Sequence, residues 1–230
     1  MVSGRRPRLP DPGCLTSQLS RWPGGCVAAF AVLAVVAAQP RDSWLGRLDA
    51  SVSRTVAGSR TAAAVRAARA VSALAEPGPS AAALAAATAL AVRRFGWQAG
   101  VGPSLAVAAG MTARRKLSAL IARQRPPAAL WLAEPEGFSL PSKHTALAAL
   151  TAGACASGLG ASRGTSHTVA LLAAAGVGAS RVCLGVHWPS DVLAGWLFAA
   201  GWLDLCQSPG PVPWPGRQRE GAPSEHPRRH

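Results

Sequence analysis

Tyrosine is absent from this chain of 230 residues, methionine occurs only twice, and ten residues in all are acidic. Lysine is nearly missing as well: Lys116 and Lys143 stand alone among many arginines. Charged residues make up 15%, against about a quarter in an ordinary soluble domain, which argues against a conventional water-facing fold. The five cysteines, Cys14, Cys26, Cys155, Cys183 and Cys206, show no CxxC or metal-type spacing, and an odd count gives no disulfide framework. They read as small apolar fillers. No HExxH and no carboxylate cluster for magnesium is present, so neither a metal nor a cofactor is expected. The formal net charge of +14 would raise nucleic-acid binding in a soluble protein. Here the basic residues are scattered over tails and helix ends with no nucleic-acid module, and no nucleic-acid partner is expected. Arginine in place of lysine, with abundant alanine and no tyrosine, looks like the codon bias of a GC-rich genome.

What the chain does have is apolar residues in blocks, 49% of the total. Runs such as "CVAAFAVLAVVAAQ" (26–39) and "AAALAAATALAV" (81–92) lack the polar stripe of a surface helix. The expectation is an all-α, polytopic membrane helix bundle of about six transmembrane helices, near 23–39, 79–93, 98–122, 144–161, 166–184 and 188–206. The basic start and "VAAQ" leave a cleaved signal peptide open as another reading of the first run. Residues 41–78 are mixed, and Arg66 and Arg69 in an Ala-rich stretch predict an additional interfacial helix near 60–75, broken by "EPGP". One domain over 22–207 is expected between Pro-, Arg- and Gly-rich tails, 1–21 and 208–230, that read as disordered. Trp22, Trp97, Trp188 and Trp202 fall near predicted span ends, as an aromatic belt would place them. With the N-terminus cytoplasmic, Arg93, Arg94, Arg163 and the basic tails share the inner side. The connectors 40–78, 123–143 and 185–187 then lie outside, although the first of these carries arginines too.

Those outer connectors hold the chemistry. They include "RRKLSALIARQRPP" (114–127), "SLPSKHT" (139–145) and "SRVCLGVHWPSD" (180–191). Taken singly, Arg123 and Arg125 before Pro126 fit a snorkelling helix end, and His144 a capping histidine. Together they form a set that a membrane fold brings to one side. Arg125 and Arg181 are suited to fork-binding phosphate oxygens. Ser142 and Lys143 precede a helix predicted to begin near 144, whose free N–H groups favour an anion. His144 and His187 titrate near neutrality, as a nucleophile and a general acid require. His187 and Asp191 are four apart, and with Pro189 in the first turn of a helix both lie on roughly one face. A carboxylate there holds one imidazole nitrogen protonated and frees the other to attack.

"SRVCLGVHWPSD" fits S-R-x5-H-x3-D without a mismatch and so resembles the third signature of the type 2 phosphatidic acid phosphatase (PAP2) superfamily. "LPSKHT" resembles the second, P-S-G-H, and "ARQRPP" the end of the first, K-x6-R-P. The resemblance spans about 43–206. It implies a metal-independent membrane phosphatase acting on a lipid phosphate or diphosphate through a phosphohistidine. It implies His187 as nucleophile, Asp191 as its orienter and His144 as the acid that protonates the leaving oxygen and then activates water. Arg125, Arg181, Ser142 and Ser180 are implied as phosphate ligands. The implied setting is a bacterial plasma membrane, with the lipid bilayer as partner and the site on the extracytoplasmic face. A polyprenyl (di)phosphate is the favoured substrate, with phosphatidate and phosphatidylglycerophosphate as further candidates.

Two positions depart from the pattern. Ser118 stands seven residues before Arg125, where the family usually has lysine, and Lys143 stands where it usually has glycine. Lys143 is expected to supply part of the missing charge and to bind phosphate, while Lys116, nine residues before Arg125, would face differently. The departures keep a non-catalytic lipid-phosphate-binding protein of the same fold open, and the anion site keeps a vanadate-dependent haloperoxidase open.

Overall fold

The computed structural model describes residues 25–207; the expected tails at 1–21 and 208–230, and Trp22, lie outside the described residues. Among these residues the chain forms eight α-helices and no strand: α1 (Gly25–Ala37), α2 (Trp44–Gly58), α3 (Ala62–Ala73), α4 (Pro77–Phe95), α5 (Trp97–Ile121), α6 (Lys143–Gly158), α7 (Arg163–Cys183) and α8 (Pro189–Gln207). A 3-10 turn, Ala128–Leu130, lies in the long connector between α5 and α6.

The all-α expectation holds. The membrane-spanning segments do not emerge as such: among the described residues no helix is long and apolar enough to cross a membrane. The helix α1 has 13 residues, about 20 Å at 1.5 Å per residue, against roughly 30 Å of hydrocarbon. Elsewhere the apolar runs are largely alanine, diluted by glycine, serine and threonine, and α5 carries Arg114, Arg115 and Lys116.

The region 41–78 differs from its expected form. It folds as two helices: the expected helix near 60–75 forms as α3 and ends just before "EPGP", which also opens α4 with Glu76 at the N-cap and proline in the first turn, while α2 is additional. The helix α2 went unread because its inner face is polar. Leu45, Asp49 and Ser53, one turn apart, are buried, while Trp44, Leu48 and Val52 face outward. The Ser43 hydroxyl starts it by accepting from Gly46 N at 3.2 Å.

The core is α6, packed against α4, α5, α7 and α8, with Ala146, Leu147, Ala149, Leu150 and Ala154 meeting Val107, Ala170, Ala174, Phe198 and Leu203. Small residues set the spacing; a Cβ on Gly178 of α7 would collide with Val192 of α8. Trp188 is not a belt residue. It is buried, donates from Nε1 to the Gln124 carbonyl at 3.0 Å, and lies under the Arg123 guanidinium. Trp202 stacks on Phe198 and donates to the Ala106 carbonyl at 2.8 Å.

Long-range contacts bring the ends of α5 and α7 and the starts of α4, α6 and α8 together on one side: Glu76 meets His144, Ser142 N donates to the Asp191 carbonyl, Arg123 reaches Asp191, and Arg181 reaches Ser72 near the end of α3. Gly185, in the α7–α8 turn, has φ +76°, and a Cβ there would strike the Leu130 carbonyl oxygen. Gly185→Ala is expected to destabilise by about 2 kcal/mol or more, read as a melting temperature several degrees lower.

Candidate active site

The α7–α8 turn and the first turn of α8 supply the central pair. Pro189 occupies the first helical position, and the Asp191 carboxylate reaches back to accept from the Trp188 N–H at 2.8 Å, as a residue at the third helical position does. His187 precedes this cap. Its Nδ1 lies 3.5 Å from Asp191 Oδ2, an ion-pair approach longer than a formed hydrogen bond. Its Nε2 lies 3.1 Å from Arg125 Nη1. A guanidinium only donates, so Nε2 accepts and the ring proton belongs on Nδ1, facing the carboxylate. That tautomer puts the lone pair on Nε2, where it becomes available to an electrophile once Arg125 turns from the ring to the incoming group. His187 is 1% exposed, and burial pushes its pKa down to about 4 against the opposing pull of Asp191, with Arg125 and Arg181 lowering it further. At neutral pH the imidazole is uncharged.

Asp191 is held from four directions. Besides Trp188, it accepts from Arg123 Nη1 at 2.6 Å and from the Ser139 hydroxyl, and its backbone carbonyl accepts from Ser142 N at 3.1 Å. The last bond ties the start of α6 to the start of α8, so Ser142, Lys143 and His144 stand beside the His187–Asp191 pair.

His144 is buried, with Nε2 3.0 Å from Glu76 Oε1. A carboxylate accepts, so Nε2 carries its proton toward Glu76. His144 Nδ1 is buried and has no partner. It is a nitrogen with a proton site to fill, fixed by a carboxylate behind it. Glu76 was not singled out in the sequence, where it figures only in the "EPGP" expected to break the preceding helix.

The arginines behave differently from each other. Arg181, buried at the end of α7, donates from Nη1 to the Ser72 hydroxyl at 2.7 Å, while its Nε is buried without a partner. Arg125 is fully engaged. It donates to the carbonyls of Gly137 (2.9 Å), Val186 (2.6 Å), Glu136 (2.7 Å) and Phe138 (3.1 Å), in addition to the His187 contact. It therefore fastens the 136–138 segment over the site, and a bound phosphate has to exchange with some of these carbonyls.

The remaining expected ligands divide. The Ser142 hydroxyl accepts from Thr145 Oγ1 at 3.0 Å at the mouth of α6. The Ser180 hydroxyl donates to the Val177 carbonyl of its own helix at 2.6 Å. Lys143 Nζ pairs with Glu136 at 2.8 Å and holds the Glu136 carboxyl below its usual pKa range by that bond. Lys116 is exposed. The basic group at Ser118 is Arg114, which donates to Ser118 Oγ at 3.4 Å and, from Nε and Nη2, to the Pro141 carbonyl at 2.9 and 2.6 Å. Arg114, Ser118, Glu136 and Lys143 line a cleft of about 680 Å³. Arg114 lies one helical turn before Ser118, a signal present in the sequence and passed over.

A family model described as the PAP2 superfamily matches residues 79–208. Among solved structures, the crystal structure of the first transmembrane PAP2 type phosphatidylglycerolphosphate phosphatase from Bacillus subtilis superposes with a TM-score of 0.71. At 23% sequence identity, that match covers 80% of this chain and 94% of that one. No curated protein matches the chain.

Proposed function

The chain belongs to the PAP2 superfamily, and from that premise we propose that it is a membrane-embedded phosphatase hydrolysing a lipid phosphate or diphosphate through a phosphohistidine. The observation that carries this reading is the tautomer forced on His187, with Arg125 at Nε2 and Asp191 at Nδ1. In the first step His187 Nε2 bonds to phosphorus as the bond to the leaving oxygen breaks, and His144 gives that oxygen its proton. In the second step water attacks the phosphohistidine, His144 takes a proton from it, and inorganic phosphate leaves. The unpartnered Arg181 Nε and the Arg125 guanidinium, once it releases loop carbonyls, receive the phosphate oxygens. Ser142 and the α6 N-terminus add donors to the same anion.

Membrane embedding is supported by apolar side chains turned outward. Val32 and Val35 of α1, Leu105 of α5, Leu172 of α7, and Leu193 and Leu205 of α8 are exposed, and α2 presents Trp44, Leu48 and Val52 to its surroundings. In water such a surface is an aggregation liability; against lipid it is the solvent-facing side. The six longer or more apolar helices, α1 and α4 to α8, are the proposed membrane-embedded set, with α2 and α3 at the interface. Arg93, Arg94 and Arg163 lie at the end opposite the site, which supports an extracytoplasmic site in this reading, with those arginines on the cytoplasmic side of a plasma membrane. Polyprenyl (di)phosphate is the substrate of choice in this reading, since carrier-lipid recycling is an outer-face task. Phosphatidylglycerophosphate, which the Bacillus subtilis protein's name specifies, is the second candidate.

The detergent-solubilised full chain is expected to release phosphate from polyprenyl, diacylglycerol and phosphatidylglycerol phosphates without added metal, and to prefer them over soluble phosphates. Phosphate release is measured across that panel; binding of the lipids with no release from any of them would replace this reading with a non-catalytic lipid-phosphate binder.

A further inference from the structure

Asp191 shares its arginine partner with a second carboxylate. The Arg123 guanidinium donates from Nη1 to Asp191 Oδ1 at 2.6 Å and to Ser190 Oγ at 2.8 Å, and from Nη2 to Asp49 Oδ2 at 2.8 Å. Asp49 in turn accepts from Ser190 N at 3.0 Å and from the Ser190 hydroxyl. Asp49 and Asp191 are both essentially buried, and Arg123 is one-tenth exposed. The guanidinium lies over the Trp188 ring with its carbon 6.0 Å from the centroid. Two buried carboxylates with one arginine between them would be a heavy penalty without function. They grip the first turn of α8 at consecutive residues, just after His187. Asp49 sits on α2, outside the family-matched 79–208.

We propose that Asp49 and Arg123 are positioning residues for the nucleophile: they fix the Asp191 carboxylate, and through it the His187 imidazole, so that α2 is part of the catalytic apparatus. The inference rests on the proposed phosphatase reading. Geometrically, the planar fork of Arg123 spans two carboxylates at once, which a lysine ammonium on a flexible stem does not reproduce. Electrostatically, Arg123 offsets the charge of Asp191. The charged groups that act on His187 are Asp191, Arg125 and Arg181. Those bearing on Asp191 include Arg123, which in turn is shared with Asp49, and Arg114 and Arg125. Removing Arg123 leaves Asp191 less compensated and makes His187 easier to protonate. Removing the charge of Asp49 does not.

The test is kcat, KM and the pH dependence of kcat/KM for the full chain in detergent, on one lipid phosphate throughout. Arg123→Met is expected to lower kcat about 10- to 100-fold, with KM changed little, and to move the acid limb to higher pH. Arg123→Lys restores the charge without the fork, so the limb returns toward the wild-type position while kcat stays low. Asp49→Asn lowers kcat by a smaller factor and leaves the limb at or below its wild-type position. The double variant Asp49→Asn/Arg123→Met is no worse in kcat than Arg123→Met alone, because the two act through one chain of contacts. Wild-type turnover with unmoved limbs, or losses confined to KM, or losses that add in the double variant, overturns the inference and leaves the phosphatase reading intact. A wild-type chain without turnover overturns both. If Arg123→Met does not fold, the limb and kcat of Arg123→Lys and Asp49→Asn decide the matter alone.

Discussion

Replacing His187 by alanine is expected to reduce phosphate release by about 10⁴-fold or more, the scale on which loss of a covalent nucleophile registers. The expectation follows from what the residue does in the fold as well as from its type. Nε2 is the unprotonated nitrogen because its neighbour is an arginine, and burial keeps the ring uncharged well below neutral pH. The Ser139 hydroxyl is given to Asp191 and the Ser180 hydroxyl to the Val177 carbonyl, so neither of these two is poised to attack in its place. His187→Gln fills a similar volume and offers an acceptor, so it serves as the control for packing and is expected to be equally inactive. The accompanying signature is covalent. Wild-type protein quenched during turnover of a phosphorus-labelled lipid is expected to carry a label that survives base and is lost in acid, as a phosphoramidate does. A variant at His187 that keeps activity within tenfold of wild type would rule out the nucleophile assignment.

The parts of this site that were legible in the sequence are those whose partners lie within one turn or one loop. His187, Pro189 and Asp191 announce their geometry because spacing on a helix start fixes their directions. His144 followed from the helix beginning near 144, which starts at Lys143. What was not legible depends on partners far along the chain. Asp49 meets Ser190, Glu76 meets His144, and Arg181 meets Ser72, and no periodicity links these positions. The missed helix α2 has the same cause. Its buried face carries Asp49 and Ser53, so the usual signal of an apolar inner stripe is inverted. Arg125 shows a further limit. Its type and its place before Pro126 point to phosphate, but only the folded chain reveals that its donors are occupied by the carbonyls of 136–138.

The geometry around His144 leads to the second large effect, one that depends on the leaving group. His144→Ala is expected to lower turnover of an alkyl lipid phosphate by about 10²- to 10⁴-fold, the usual contribution of a positioned acid and base. The departing oxygen of an alcohol is a poor leaving group unless it is protonated as it goes, and the buried, unpartnered Nδ1 is the nitrogen placed to do so. Glu76 holds the opposite nitrogen, so Glu76→Gln should produce a milder loss with the same dependence, since the amide orients the ring but no longer stabilises an imidazolium. A nitrophenyl phosphate needs no such proton. With that substrate the variant should release one equivalent of nitrophenol at close to the wild-type rate and then stall. The second step still wants a base for water, and the phosphohistidine accumulates. A lipid diphosphate, whose leaving group is a phosphate monoester, should fall between the two. Rapid-mixing measurement of nitrophenol and of free phosphate separates the steps. Equal losses on all three substrates, with no burst, would mean that His144 binds phosphate or supports the fold instead of moving the proton.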